Sequence, residues 1–118
     1  FEPPNDLLMR KADFTAVICY NDVSAIGAIR AFMDHGLKVP DDISVVGFDD
    51  IQMAAFHNPS ITTIRQPLEQ MGKVAARILL QRIRGQATFP DKVPIHPELI
   101  IRESTSPPNL KRVRANRS

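Results

Sequence analysis

One short pattern occurs twice in the sequence, as Tyr20-Asn21-Asp22 and as Phe48-Asp49-Asp50. Each copy follows an apolar, β-prone run, so each polar pair falls at the carboxyl end of a strand. In an open parallel sheet all such ends lie on one edge, and ligands bind in the crevice outside that edge. An amide beside a carboxylate both donates and accepts hydrogen bonds, which suits a ligand bearing hydroxyl or amine groups. The second residue of each pair has a plainer use. Asp is a favoured helix N-cap because its carboxylate satisfies free N–H groups of the first turn. Asn21 and Asp49 are therefore the candidate ligand-binding residues, and Asp22 and Asp50 the expected caps.

Other chemistry finds little support. His35, His57 and His96 share no short spacing with one another or with Cys19, so no metal site is expected. Cys19 lies inside a strand-like run and reads as a small buried hydrophobe, not a nucleophile. The five glycines form no G-x-S-x-G, no G-x-G-x-x-G and no P-loop. Neither an enzymatic activity nor a cofactor is expected.

The elements that must position these residues alternate along the chain. Asn5 to Ala12 has the apolar content of a helix end. Phe14–Tyr20 and Ile43–Phe48 read as strands apolar on both faces, as in a parallel sheet covered on two sides. Val23–His35 reads as a helix with Ile26, Ile29 and Met33 on one stripe and Ala25, Ala28 and Phe32 beside it; Gly36 supplies the left-handed residue that ends it. Ile51–His57 is a short helix broken by Asn58-Pro59-Ser60, and Ile61–Ile64 a β-branched strand. Pro67 suits the first position of a long helix, Pro67–Arg84, ended by Gly85 and striped by Leu68, Met71, Ala75, Ile78, Leu79 and Ile83. Extended pieces follow near Val93–Ile95 and Glu98–Arg102. Strands alternating with helices of this size imply an α/β fold, an open and mostly parallel sheet flanked by helices.

Composition bounds the functional classes. No apolar run approaches the ~20 residues that cross a bilayer. The single cysteine excludes an internal disulfide and fits a reducing cytosol. Net charge is +2, but Lys111, Arg112, Arg114 and Arg117 crowd the last eight residues; without them 11 basic residues face 13 acidic ones. The body is mildly acidic, so a nucleic-acid surface spread over it is not indicated. Residues 108–118 read as a disordered basic tail. The chain opens at Phe1-Glu2-Pro3-Pro4 without an initiator Met, which suggests a fragment. Ile26, Met53 and Phe56 exceed what a small sheet must bury, and core packing and a homodimer interface explain them equally well.

Several of these segments resemble the LacI/GalR family of transcription regulators. The resemblance is carried by Tyr20-Asn21-Asp22 followed by Ala25-Ile26-Gly27-Ala28, by the run from Gly36 to Asp50, by Pro59 to Pro67, by Gly72, Ala75 and Leu79-Leu80, and by Pro97 to Thr105. It implies part of a periplasmic-binding-protein-like type I effector domain, in which a small polar effector such as a sugar binds between two subdomains. Family members are cytoplasmic homodimers, and effector occupancy rotates the subdomains to alter operator binding by an N-terminal helix-turn-helix. The resemblance matches Asn21 and Asp49 to effector-contacting positions, brings Gln66 near the ligand, and sets Ile26, Met53, Phe56 and His57 on the dimer surface.

The resemblance also divides the chain. Residues 1–64 belong to the C-terminal effector subdomain, 65–95 supply a helix and strand of the other subdomain, and 96–107 return. No helix-turn-helix is present in these 118 residues, so operator contact falls outside them. The long helix would then lack its native partner, and each large apolar side chain left wet costs about 1.5–3 kcal/mol. The expectation is burial by dimerisation, by segment exchange with a second copy, or by folding onto the chain's own sheet. A periplasmic sugar-binding protein of an uptake transporter shares the implied fold and is the alternative reading.

Overall fold

The computed structural model describes residues 14–86 and 93–111. The helix expected at Asn5–Ala12 and the tail beyond Lys111 lie outside the described residues. The chain forms two compact units, one of residues 1–65 and 99–118, the other Gln66–Glu98.

In the first unit, β1 (Ala16–Ile18) pairs in parallel with β2 (Ser44–Val46), Val17 opposite Val45. Both are shorter than the apolar runs that contain them, yet the ladder continues past their ends. Cys19 N–H donates to the Val46 carbonyl at 2.8 Å, and Asp22 N–H to the Phe48 carbonyl at 3.0 Å. On the other side of β2, Val46 bridges Thr62 in parallel. Gly47 and Asp49 donate to the carbonyls of Thr62 and Ile64, each at 2.9 Å. That line runs into β3 (Thr63–Arg65), which pairs with β4 (Glu98–Ile100). The carboxyl ends of β1, β2 and β3 are thus stitched side by side.

α1 (Asp22–Asp34) joins β1 to β2. Its core face is Ala25, Ala28, Ile29 and Phe32, all at most 1% exposed. The expected leading stripe is therefore displaced: Met33 is 56% exposed and Ile26 is only partly buried. Positions 25, 28, 29 and 32 follow the i, i+3, i+4, i+7 spacing of one helix face, and small alanines there let the helix approach the sheet closely. Gly36 adopts φ +77°, Leu37 N–H donates to the Phe32 carbonyl at 2.9 Å and Gly36 N–H to the Met33 carbonyl at 3.0 Å. This is a Schellman ending, which only a left-handed residue permits. Ile43, Val45, Ala54 and Ile61 complete the core, and Phe14 meets the Phe32 ring at 6.2 Å.

β1 departs from the expectation of burial on both faces, since Ile18 and Tyr20 are each 80% exposed while Cys19 between them is buried. Alternation sends these side chains to the opposite face of the sheet from Cys19. The burial of Cys19 pushes its thiol up to about 11. Val93–Ile95 is irregular, not a strand. Pro94 and Pro97 remove two ladder donors there. The closing strand ends at Ile100, and the next residues bond through hydroxyls: Ser104 Oγ donates to the Val45 carbonyl and accepts from Thr62 N–H.

In the second unit, α3 (Leu68–Ile83) follows the short helix α2 (Gln52–Phe56) of the first unit in sequence. Pro67 is the N-cap of α3, one position before its expected place, and Gly85 at φ +67° ends the helix as Gly36 ends α1. The Glu69–Lys73 pair forms at 3.0 Å with both partners solvated. No residue of α3 is buried, and Leu68, Leu79 and Ile83 are each at least 60% exposed. Among the described residues, no helix is long and apolar enough to cross a membrane.

Candidate functional site

The two polar pairs meet at the sheet edge as their spacing implies. The Asp22 N–H···O=C Phe48 bond sets the Asn21–Asp22 peptide against the Phe48–Asp49 peptide. Asn21 is half-buried and Asp49 exposed. Gln66 opens the second unit, where it is half-buried.

The division of labour within each pair differs from the expected one. The cap of α1 is Asn21: its Oδ1 accepts from Ser24 N–H at 2.8 Å. Its amide nitrogen has no protein partner among the described residues and stays available as a donor. Asp22 sits one residue further, fully buried, as the first residue of the helix. Its Oδ2 accepts from Ile51 N–H at 2.8 Å, and its Oδ1 accepts from the Thr63 hydroxyl at 2.6 Å. A sequence pattern cannot separate these adjacent positions, because either residue type caps a helix. Once Asn21 takes the extended cap conformation, Asp22 is turned inward toward β3.

Asp50 is not a cap either. α2 has Ile51 at its N-cap position and no side-chain cap bond. Instead Asp50 Oδ2 accepts from Arg65 Nε at 2.7 Å, and its Oδ1 pairs with Arg102 Nη2 at 2.8 Å. The Asp50 side chain is only 9% exposed. Burial alone would push its carboxyl up; the hydrogen bonds and charges of Arg65 and Arg102 outweigh that and hold it below its ordinary value. The backbone here is unusual as well: Asp49 and Asp50 adopt φ +107° and +56°. Positive φ in non-glycine residues costs about 1–3 kcal/mol and persists only where neighbours over-determine it. Those neighbours are Ile64, whose carbonyl takes Asp49 N–H, and Thr63, whose hydroxyl takes Asp50 N–H at 3.3 Å.

Residue types and spacing thus singled out Asn21 and Asp49 but not Thr63, Arg65 and Arg102, which hold the adjoining Asp22 and Asp50. The available signal was the pairing of a buried-type Thr in a β-branched run with two arginines flanking strand ends.

Among the residues expected at a dimer surface, Phe56 is 71% and Met53 52% exposed, on α2. His57 is half-buried with its Nδ1 2.9 Å from the Pro59 carbonyl, and Ile26 packs partly against the core. Among the described residues, no group of three His, Cys, Asp or Glu could hold a metal ion.

Comparison with known proteins gives this arrangement a family. The family described as "Periplasmic binding protein-like domain" matches residues 3–105. The HTH-type transcriptional regulator MalR of Streptomyces coelicolor is 48% identical over 94 residues, which cover 80% of this chain and 27% of MalR. The solved transcriptional regulator CelR–cellobiose complex superposes with a TM-score of 0.78 at 38% identity, over 86% of this chain and 31% of that one. A dimeric Lac repressor with a C-terminal deletion gives a TM-score of 0.80 at 36% identity, over 90% and 39%. The fold and its strand-end edge are those of a periplasmic-binding-protein-like domain. The chain belongs to that family, and the relatives and solved structures it matches here are LacI-type transcription regulators. It spans about a quarter of the length of MalR.

Proposed function

We propose that this chain is the effector-binding and dimerisation part of a cytoplasmic, non-enzymatic transcription regulator, and that the effector is a sugar or a related polar metabolite. The observation that carries the reading is the Asp22 N–H···O=C Phe48 bond, because it brings the Asn21 amide step beside Asp49 on one sheet edge. An amide donor and a carboxylate acceptor there fit the vicinal hydroxyls of a sugar. CelR, a relative of similar fold, is solved with cellobiose, which supports that ligand class.

In this reading Gln66 adds a contact from the other subdomain, to which residues 65–95 belong, and residues 96–107 return to the first. Effector occupancy rotates the subdomains, and a helix-turn-helix outside these residues reads the operator. Two copies associate through Met53, Phe56, His57 and the neighbouring Ile26. The exposed stripe of α3 is covered by the rest of the effector domain in the whole regulator; in this chain alone, dimerisation, segment exchange or folding onto its own sheet covers it. A periplasmic uptake protein would share the fold, but the HTH-type regulator among the relatives favours the regulatory reading.

The test is operator release by the whole regulator across a panel of mono- and disaccharides. Asp49→Asn removes an acceptor and its charge without changing shape. An unpaired ligand hydroxyl costs about 1–3 kcal/mol, so the active sugar should need roughly 5- to 150-fold more to act. An unchanged midpoint removes Asp49 from the site.

A further inference from the structure

The first unit holds one polar cluster whose members come from every part of the chain that borders the ligand edge. Asp22 begins α1, Thr63 begins β3, and Asp50 follows β2. Arg65 is the last residue before the chain leaves the unit, and Arg102 follows its return at Leu99. Thr63 is fully buried and its hydroxyl joins Asp22 to the Asp50 backbone. Asp50 then spends both carboxylate oxygens on the two arginines, one for each link to the second unit.

We infer that Asp50 is a positioning residue: held by Thr63, it fixes Asp49 at the ligand edge and ties the departing and returning links of the chain into one arrangement. The inference rests on the reading of Asp49 as an effector ligand only for its consequence in regulation, not for the clamp itself. Three observations carry it. Asp50 is adjacent to the φ +107° residue Asp49, so its side-chain anchorage limits how that turn can relax. Its two partners lie 37 residues apart in sequence yet meet on one carboxylate. Arg102 is further pinned, since its Nη1 donates to the Ile61 carbonyl at 3.1 Å and its N–H to Thr62 Oγ1 at 2.9 Å. A change at Asp49 is therefore felt at Arg65 and Arg102 together, through one acid.

The test is amide hydrogen exchange on the 118-residue chain, read residue by residue by NMR. In Asp50→Asn the Asp49 and Arg102 amides should exchange at least tenfold faster, in step with each other, while the α1 core amides of Ile29 and Phe32 keep their native rates. Thr63→Val also strips the buried Asp22 Oδ1 of its donor, so it should speed the core amides too, yet the Asp49 and Arg102 amides at least tenfold more than those; Thr63→Ser, which keeps the hydroxyl, should stay within threefold of native. Arg65→Met, at a half-exposed position, secures the test if a buried variant fails to fold: it should speed the Arg102 amide at least threefold although that amide is far away in sequence. Asp49 opening while Arg102 stays native would overturn the clamp. So would Arg102 accelerating only in step with Phe32. The measurement uses no effector, so loss of the sugar-binding reading leaves its outcome intact, and the reverse also holds.

Discussion

The Thr63 hydroxyl donates to Asp22 Oδ1 at 2.6 Å, and neither residue is exposed to solvent. This one bond ties the first residue of α1 to the first residue of β3, two elements 41 positions apart. The other Asp22 oxygen takes the Ile51 N–H at 2.8 Å, so the same carboxylate also anchors the entry to α2.

Asp22→Ala would leave a buried donor, the Thr63 hydroxyl, and a half-buried one, the Ile51 N–H, without acceptors. Each buried unsatisfied group costs about 1–3 kcal/mol. We expect a loss of about 2–5 kcal/mol of stability by urea unfolding, which is large against a typical total of roughly 5–15 kcal/mol. Asp22→Asn keeps one acceptor oxygen and should lose less. Equal stability of Asp22→Ala and wild type would contradict this account.

Gly47 is required by the same carboxylate. A Cβ built on Gly47 would overlap Asp22 Oδ1 and stand 3.1 Å from Asp22 Cα. The obstacle is backbone as well as side chain, so it cannot swing aside. Gly47→Ala should destabilise by about 1–3 kcal/mol, the usual range for overpacking. The double variant Gly47→Ala with Asp22→Ala should be less destabilised than the sum of the two singles, because the clash and the lost bonds share one group.

How much of this was legible in the sequence depends on the range of the interaction. The helix endings at Gly36 and Gly85 are local events of left-handed backbone, and a Gly after an apolar stripe reveals them. The β–α alternation and the edge location of Asn21 and Asp49 follow from hydrophobic runs and punctuation, which are also local. What could not be read is which acid of each pair faces inward. Asp22 and Asp50 find partners 15 to 52 residues away, at Thr63, Arg65 and Arg102, and spacing along a chain carries no information on such pairings. The exposed Ile18 and Tyr20 were hidden for a related reason: an apolar run states that a face wants burial, not that something in these residues covers it.

The Asp50 carboxyl lies below its ordinary value because Arg65 and Arg102 favour its charged form more than burial opposes it. In the unfolded chain it titrates near pH ~4. Above that, both states hold the acid ionised and its contribution to stability is complete. As pH falls through the unfolded value and then the lower folded one, the unfolded state takes up the proton first and stability drops. Denaturation midpoints followed from pH 6 to 2 should therefore fall, and the fall should be shallower in Asp50→Asn. A residual slope remains from Glu103, whose carboxyl is lowered by hydrogen bonds from the backbone and hydroxyl of Ser60.

Phe56 and Met53 project from the five-residue α2 with 71% and 52% of their surface exposed. Large aromatic and Met side chains are enriched in interface cores, and a Phe left wet costs about 1.5–3 kcal/mol. Phe56→Glu should shift the chain toward monomer, read as a lower weight-average mass by sedimentation equilibrium at micromolar concentration. Its melting temperature at high dilution should stay near wild type, since the side chain is not part of the core. Identical association of both proteins would remove α2 from the interface.

Asn21 serves the helix with its oxygen, and in the proposed sugar-binding role its nitrogen is the donor to the effector, so a simple truncation confounds the two. Asn21→Ala loses the bond from Ser24 N–H and should cost about 1 kcal/mol of stability. Asn21→Asp keeps an acceptor for Ser24, and a negative charge at a helix N-terminus is favourable, so stability should be held or slightly raised. It removes the only donor Asn21 can present to a ligand and sets a second carboxylate beside Asp49. In the whole regulator, Asn21→Asp should thus weaken sugar response at least as much as Asn21→Ala, although only the alanine variant melts early. If response follows melting temperature across the pair instead, Asn21 is a helix cap and nothing more.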